Sequence, residues 1–291
     1  MQSRGLKRGS PEEENKKAQT LGRPRKKGVF RFFLSFGLLP RPRERYNWPD
    51  MKPLNDILKG RKTLCFIDLE GAQMSHEIIE IGAYKCQIRE DGTIKRTYRP
   101  YKAYVRPKHA VGHFVTKLTG ITEKQLREEG VPYREMLNGL IKYLGKDFQK
   151  TLFVAYGSQD ASMFVASADN NMDASMEQSL FISKRTFDYC EFLGTFLRSE
   201  SNNVMSLEHA CEAFHIPFEG KAHDAVDDAK NLMLLYSAVL ANQKLLAQYY
   251  KRTLSVSPKT PAPLRLLLRL LEEKKSIDVS DFDAALEASL E

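Results

Sequence analysis

The sequence predicts an α/β fold, a mixed β-sheet flanked by helices, and three patterns point to it. Thr63 to Gly71 is a short apolar run that reads as a buried strand. His76 to Ile88 carries Ile79, Ile81 and Ala83 in alternation, and Thr93 to Val105 pairs back on it through the Asp91-Gly92 turn, so the first three strands form a meander. Beyond them strands alternate with helical patterns, which places helices over the faces of the sheet.

Each later element has its own signal. A helical pattern runs from Tyr133 to Leu144, and Thr151 to Gly157 is a second apolar strand leading into a helix through Met163, Phe164 and Ala168. Further helices are expected at Cys190 to Leu197 and Leu207 to Phe214, and a long one starts near Asp224, marked by Ala225, Ala229, Leu232, Met233, Leu235 and Tyr236. With 291 residues and 42% apolar content, the chain can build one large domain with appendages. No repeat of about 20–50 residues is present.

Chemistry-bearing residues sit at the ends of these elements. On the first strand Asp68 and Glu70 share a face and continue the row of Leu64 and Phe66. Two carboxylates held side by side repel each other unless a cation lies between them. Asp160 stands at a strand-to-helix junction, where on its own it reads as an ordinary helix N-cap. His223 lies on the loop before the long helix and Asp228 about one turn inside it, so both can face one point. Neighbouring Asp224 suits the N-cap, and Asp227 suits the positive end of the helix dipole.

Together these segments resemble the DEDDh group of 3′-to-5′ exonucleases, in family order over roughly residues 62 to 241. Val115-Thr116-Lys117-Leu118-Thr119-Gly120-Ile121-Thr122 resembles the turn usual between the first two motifs, and Ser206 to Glu219 resembles the helix and loop before the third. The resemblance implies a ribonuclease-H-like fold and a metal-dependent hydrolase releasing 5′-mononucleotides from single-stranded 3′ ends. Asp68, Glu70, Asp160 and Asp228 would then hold two hard divalent cations, Mg²⁺ or Mn²⁺. His223 would take the proton from the attacking water.

Substrate preference rests on smaller departures. Gly71 follows Glu70 where many proofreading relatives carry threonine, and a glycine lets backbone approach a nucleotide. Met74 is a candidate wedge against the terminal base, and Gly157-Ser158-Gln159-Asp160 is closer to the Eri-like and KapD-like RNA exonucleases. RNA is therefore expected over DNA. The alternatives are a DNA proofreading-type subunit and a nucleic-acid-binding module that has lost catalysis.

Charge and composition divide the chain. Residues 1–50 carry 13 Lys and Arg against 5 Asp and Glu, while the remaining 241 residues carry 32 of each. The net +8 therefore belongs to this segment, which reads as a disordered tail able to touch phosphate, although Met51 before the first strand offers an alternative start. Residues 51–250 are expected to form the exonuclease domain. In 251–291, Ser257 to Pro263 reads as an extended linker, 264–275 as an apolar helix that could dock a protein partner, and the end as acidic. No apolar run approaches the roughly 20 residues of a membrane span. Cys65, Cys86, Cys190 and Cys211 lack zinc-site spacing and read as reduced thiols, in keeping with a cytoplasmic location.

Overall fold

In the computed structural model, residues 52–273 and 276–287 are described; the basic segment 1–50 with Met51, residues 274–275 at the end of the expected apolar helix, and the last four residues lie outside them. After a short helix α1 (Lys52–Leu58), strands β1 (Thr63–Gly71) and β2 (Ile78–Ile88) form a long antiparallel pair. The third expected strand is interrupted: β3 (Ile94–Thr97) and β4 (Tyr101–Tyr104) pair separately with β2. Pro100 lies in the break, lacking an N–H and restricting the residue before it.

Three helices, α2 (His113–Thr119), α3 (Glu123–Glu129) and α4 (Tyr133–Leu144), lead to β5 (Leu152–Ala155). Helix α5 (Gln159–Asn170), α6 (Met176–Lys184) and the short β6 (Thr186–Asp188) follow. The sheet runs β3-β2-β1-β5-β6, with β5 and β6 parallel to β1 and the meander antiparallel, so it is mixed as expected. Helix α7 (Tyr189–Leu193) is shorter than the pattern predicts, because Gly194 takes the C-cap. Helices α8 (Leu207–Ala213) and α9 (Ala225–Ala241) complete the fold around the sheet.

Strand periodicity separates the two faces of β1. Leu64 and Phe66 are fully buried in a cluster with Leu232, Leu235, Tyr236 and Val239 of α9. Cys65 and Ile67 point the other way, into a cluster with Leu137 and Leu140 of α4 and Phe164 of α5. The Phe66 and Tyr236 rings meet edge-on at 5.2 Å, and the Tyr236 hydroxyl donates to Gly92 O at 2.7 Å. This bond satisfies the one polar atom that packing α9 on the sheet buries with the ring. All four cysteines are free, three of them buried.

Helix α10 (Gln243–Val256) crosses residue 250 and is tied to the body, since the Thr253 hydroxyl donates to Phe196 O at 2.8 Å. The expected linker is not extended. Thr260 N–H donates to Ser257 O in a turn, and α11 (Ala262–Glu272) starts directly after Pro261, with Pro263 in its first turn, a position that needs no N–H donor. Helix α11 and α12 (Val279–Glu287) pack in sequence on α10, and α11 buries none of its residues. Among the described residues no helix is long and apolar enough to cross a membrane.

Candidate active site

The row begun by Leu64 and Phe66 ends in Asp68 and Glu70, directly under the start of α9. Asp68 pairs with Gly82 of β2 and Glu70 with Glu80, and a bulge follows between Glu70 and Gly71. What lets α9 come so close is Gly82: a Cβ there would lie 2.0 Å from Ala225 O, a backbone atom that cannot step aside. The helix start is also fastened chemically. Ala225 N–H donates to Glu80 Oε2 at 3.3 Å, and Lys102 Nζ on β4 lies 2.8 Å from Glu80 Oε1 and 2.6 Å from Asp224 Oδ2. Asp224 is the N-cap the sequence suggested, accepting from Val226 and Asp227 N–H.

This anchoring carries His223 and Asp228 over the carboxylate row. His223 adopts a left-handed backbone, φ 64°, and its N–H donates to Asp228 Oδ2 at 2.8 Å. Its Nδ1 lies 3.7 Å from Glu70 Oε1, and atoms of Glu70, His223 and Asp228 fall within 4.8 Å of one another. Asp160 arrives from the opposite side. It does not cap α5, whose N-cap is Ser158; instead its Oδ1 accepts Leu69 N–H at 3.0 Å, which locks the start of α5 to β1. Asp68 and Asp160 line the same cleft outside the tight group of three.

Electrostatics set the cluster against carrying full negative charge. Burial, followed by repulsion from Asp160, Asp228, Glu70 and Glu80, raises Asp68 well above the usual carboxylate range. Burial and then Asp228 push Glu70 up to about 8. Burial also lifts Asp160 to about 7 and Asp228 to about 6, against the lowering effect of the N–H groups they accept. Four carboxyl groups that resist ionising together in one cleft form a site matched to positive charge.

The cleft has a volume of about 950 Å³, and Gly71 lines it as expected, in contact range of Met163. Met74 does not line it; its side chain is 83% exposed. Sequence reasoning missed Gly82, Glu80 and Lys102, which position the third motif, and Arg198, which also lines the cleft. It also missed α2, whose Val115 and Leu118 form a rim beside an exposed Phe114. The alternating β2 pattern contains Glu80 and Gly82, but nothing local announces a helix 145 residues away.

The RNase T exonuclease family model matches residues 65–236, which span every residue of this site. Mouse ERI1 exoribonuclease 2 is 27% identical over 150 residues, 46% of this chain and 22% of that protein, so the match spans about a fifth of the curated relative's length. The nuclease domain of 3′hExo, a DEDDh family member solved bound to rAMP, superposes with a TM-score of 0.51 at 20% identity, over 63% of this chain and 94% of that one. E. coli ExoI in complex with single-stranded DNA gives a TM-score of 0.50 at 18% identity, over 67% and 43% of the two chains. The fold is thus the ribonuclease-H-like one, and with the family match covering more than half of its residues, the chain belongs to the RNase T exonuclease family.

Proposed function

We propose that the chain is a divalent-cation-dependent 3′-to-5′ exonuclease that removes 5′-mononucleotides from single-stranded 3′ ends, with RNA preferred to DNA. The observation that carries this reading is the meeting of Asp68, Glu70, Asp160 and Asp228 with His223 in one cleft, from three separate parts of the chain. The donor set fits hard cations. Carboxylate oxygens suit Mg²⁺ or Mn²⁺, and carboxyl groups raised by burial and by one another support a site that takes positive charge. Two such ions held by the four carboxylates would activate a water and stabilise the leaving 3′ oxygen.

The chain's own residues supply the rest. Nδ1 of His223 faces Glu70, so Nε2 is the nitrogen that takes the proton from the attacking water. The bond from His223 N–H to Asp228 Oδ2 fixes the base to one of the proposed ligands, so proton acceptor and metal site move as one unit. The exposed Phe114 beside the rim offers a face on which a base can stack. The exoribonuclease name of the mouse relative supports RNA. The exonuclease domain is proposed to be residues 51–250, with a phosphate-touching segment before it and a partner-docking α11 after it. Four free cysteines support a cytoplasmic location.

Matched 5′-labelled RNA and DNA strands, incubated with Mg²⁺ or Mn²⁺ or with chelator, test the reading. A cation-dependent ladder shortening from the 3′ end, faster on RNA, is expected, and His223→Ala should slow it roughly 10²–10⁴-fold. Cleavage that persists in chelator, or an unchanged rate in His223→Ala, would refute the mechanism.

A further inference from the structure

The cleft does not end at the carboxylates. Its lining also takes in the junction of β6 and α7, which the strand order puts beyond β5 from β1, the first residue of α8, and a hairpin whose arms meet at Arg198 and Val204. The hairpin is closed by Ser199 N–H to Asn203 O and Asn202 N–H to Ser199 O, both 2.9 Å. Its tip turns at Asn202, which takes the left-handed φ of 61°.

Arg198 is the one lysine or arginine among the residues lining the cleft. Its Nη1 donates to Asn202 O at 3.2 Å, which ties the guanidinium to the hairpin with most of the fork's five N–H donors still to be satisfied. No carboxylate among the described residues lies within ion-pair distance of it. Of the two acids of the β6–α7 junction that line the cleft, Asp188 has Oδ1 occupied by Glu191 N–H at the cap of α7, and Glu191 is exposed. Beside Arg198, Val204 is 45% exposed and Leu207 shares the wall. A half-buried guanidinium next to bare aliphatic surface presents one group for an anion and another for an apolar ring face.

Size points the same way. A cleft of about 950 Å³ is at the top of the roughly 300–1,000 Å³ range that encloses one drug-sized ligand. A terminal nucleotide placed at the carboxylates therefore leaves the far end open. We infer that this end is a second nucleotide subsite, in which Arg198 holds a backbone phosphate on the 5′ side of the scissile one while Val204 and Leu207 pack against a base. Arginine suits this task because its planar fork can grip a phosphate through two N–H groups. The inference rests on the exonuclease reading and adds to it where the strand runs after leaving the catalytic carboxylates.

Two substrates separate the ends of the cleft in the full chain. A p-nitrophenyl ester of a nucleoside 5′-monophosphate fills only the terminal position, whereas a single-stranded decanucleotide reaches both. Arg198→Ala is expected to raise KM for the decanucleotide about tenfold and to leave kcat/KM for the ester within about twofold. Its log KM should also depend less steeply on log salt, by about 0.7, the contribution of one single-strand phosphate contact. Arg198→Lys keeps the charge and loses the fork, so it should show a several-fold rise on the decanucleotide alone. That variant carries the test if the alanine variant does not fold. Equal losses on both substrates would make Arg198 a support of the hairpin, and unchanged decanucleotide KM and salt slope would remove the subsite. Wild-type protein that cleaves neither substrate would instead overturn the exonuclease reading itself.

Discussion

Glu70 links the chemistry of the cleft to the stability of the fold. Its carboxyl group is pushed up to about 8, first by burial and then by Asp228, from an ordinary value near 4. Between those two values the folded protein holds a proton that the unfolded chain has released, so unfolding free energy falls as pH rises through the window. Without divalent cations the melting temperature should therefore drop between about pH 5 and 8. Glu70→Gln carries no charge to desolvate, so in chelator it should match wild type near pH 5 and melt a few degrees higher at pH 8, at about 2–4 °C per kcal/mol for a domain of this size. Adding Mg²⁺ or Mn²⁺ should shrink the wild-type drop, since a cation between the carboxylates removes their repulsion. A Glu70→Gln protein that melts below wild type at pH 8 in chelator would contradict this account.

At the scale of elements, α9 matters most, because its placement on the sheet decides whether His223 and Asp228 reach Asp68 and Glu70. Gly82 is the contact that sets it. Gly82→Ala should force Ala225 off β2, costing roughly 1–3 kcal/mol of stability as an overpacked position does. The accompanying shift of about an ångström at His223 should lower kcat on the order of 10²-fold. Thermal melts and turnover on one short strand check both, and near-wild-type values in both would show that α9 is positioned by something else. The same element shows what was legible in the sequence. Asp68 and Glu70 could be read because strand periodicity continues the buried row of Leu64 and Phe66, and Asp228 because α9 repeats its apolar residues along 17 residues. The clamp of Glu80, Lys102 and Asp224 could not, since Lys102 and Asp224 lie 122 positions apart and each alone reads as a surface charge. Helices α2 and α3 escaped for a different reason: each buries a single residue, Thr119 and Leu126, and leaves no apolar stripe to detect.

Along the sequence, the net charge that would attract a polyanion is separated from the residues that would cut it. Residues 1–50 account for the entire net +8, and the remaining 241 residues balance at zero. The cleft itself is acidic apart from Arg198 and its histidines. On net charge, long-range attraction of a strand is expected from the basic segment, with the cleft supplying short-range order once the strand arrives. The described residues all fall in one compact unit, so a chain that begins at Met51 should melt at the same temperature as the full protein. It should nevertheless bind single-stranded nucleic acid more weakly at low salt, with a shallower dependence of log affinity on log salt, while its kcat on a short strand stays unchanged. Binding isotherms for both chains between about 50 and 200 mM salt, the range over which phosphate contacts lose most of their strength, give the comparison. Equal affinities and equal slopes would show that residues 1–50 do not touch the strand, and the cations that draw it in would then have to lie on the sheet and helices themselves.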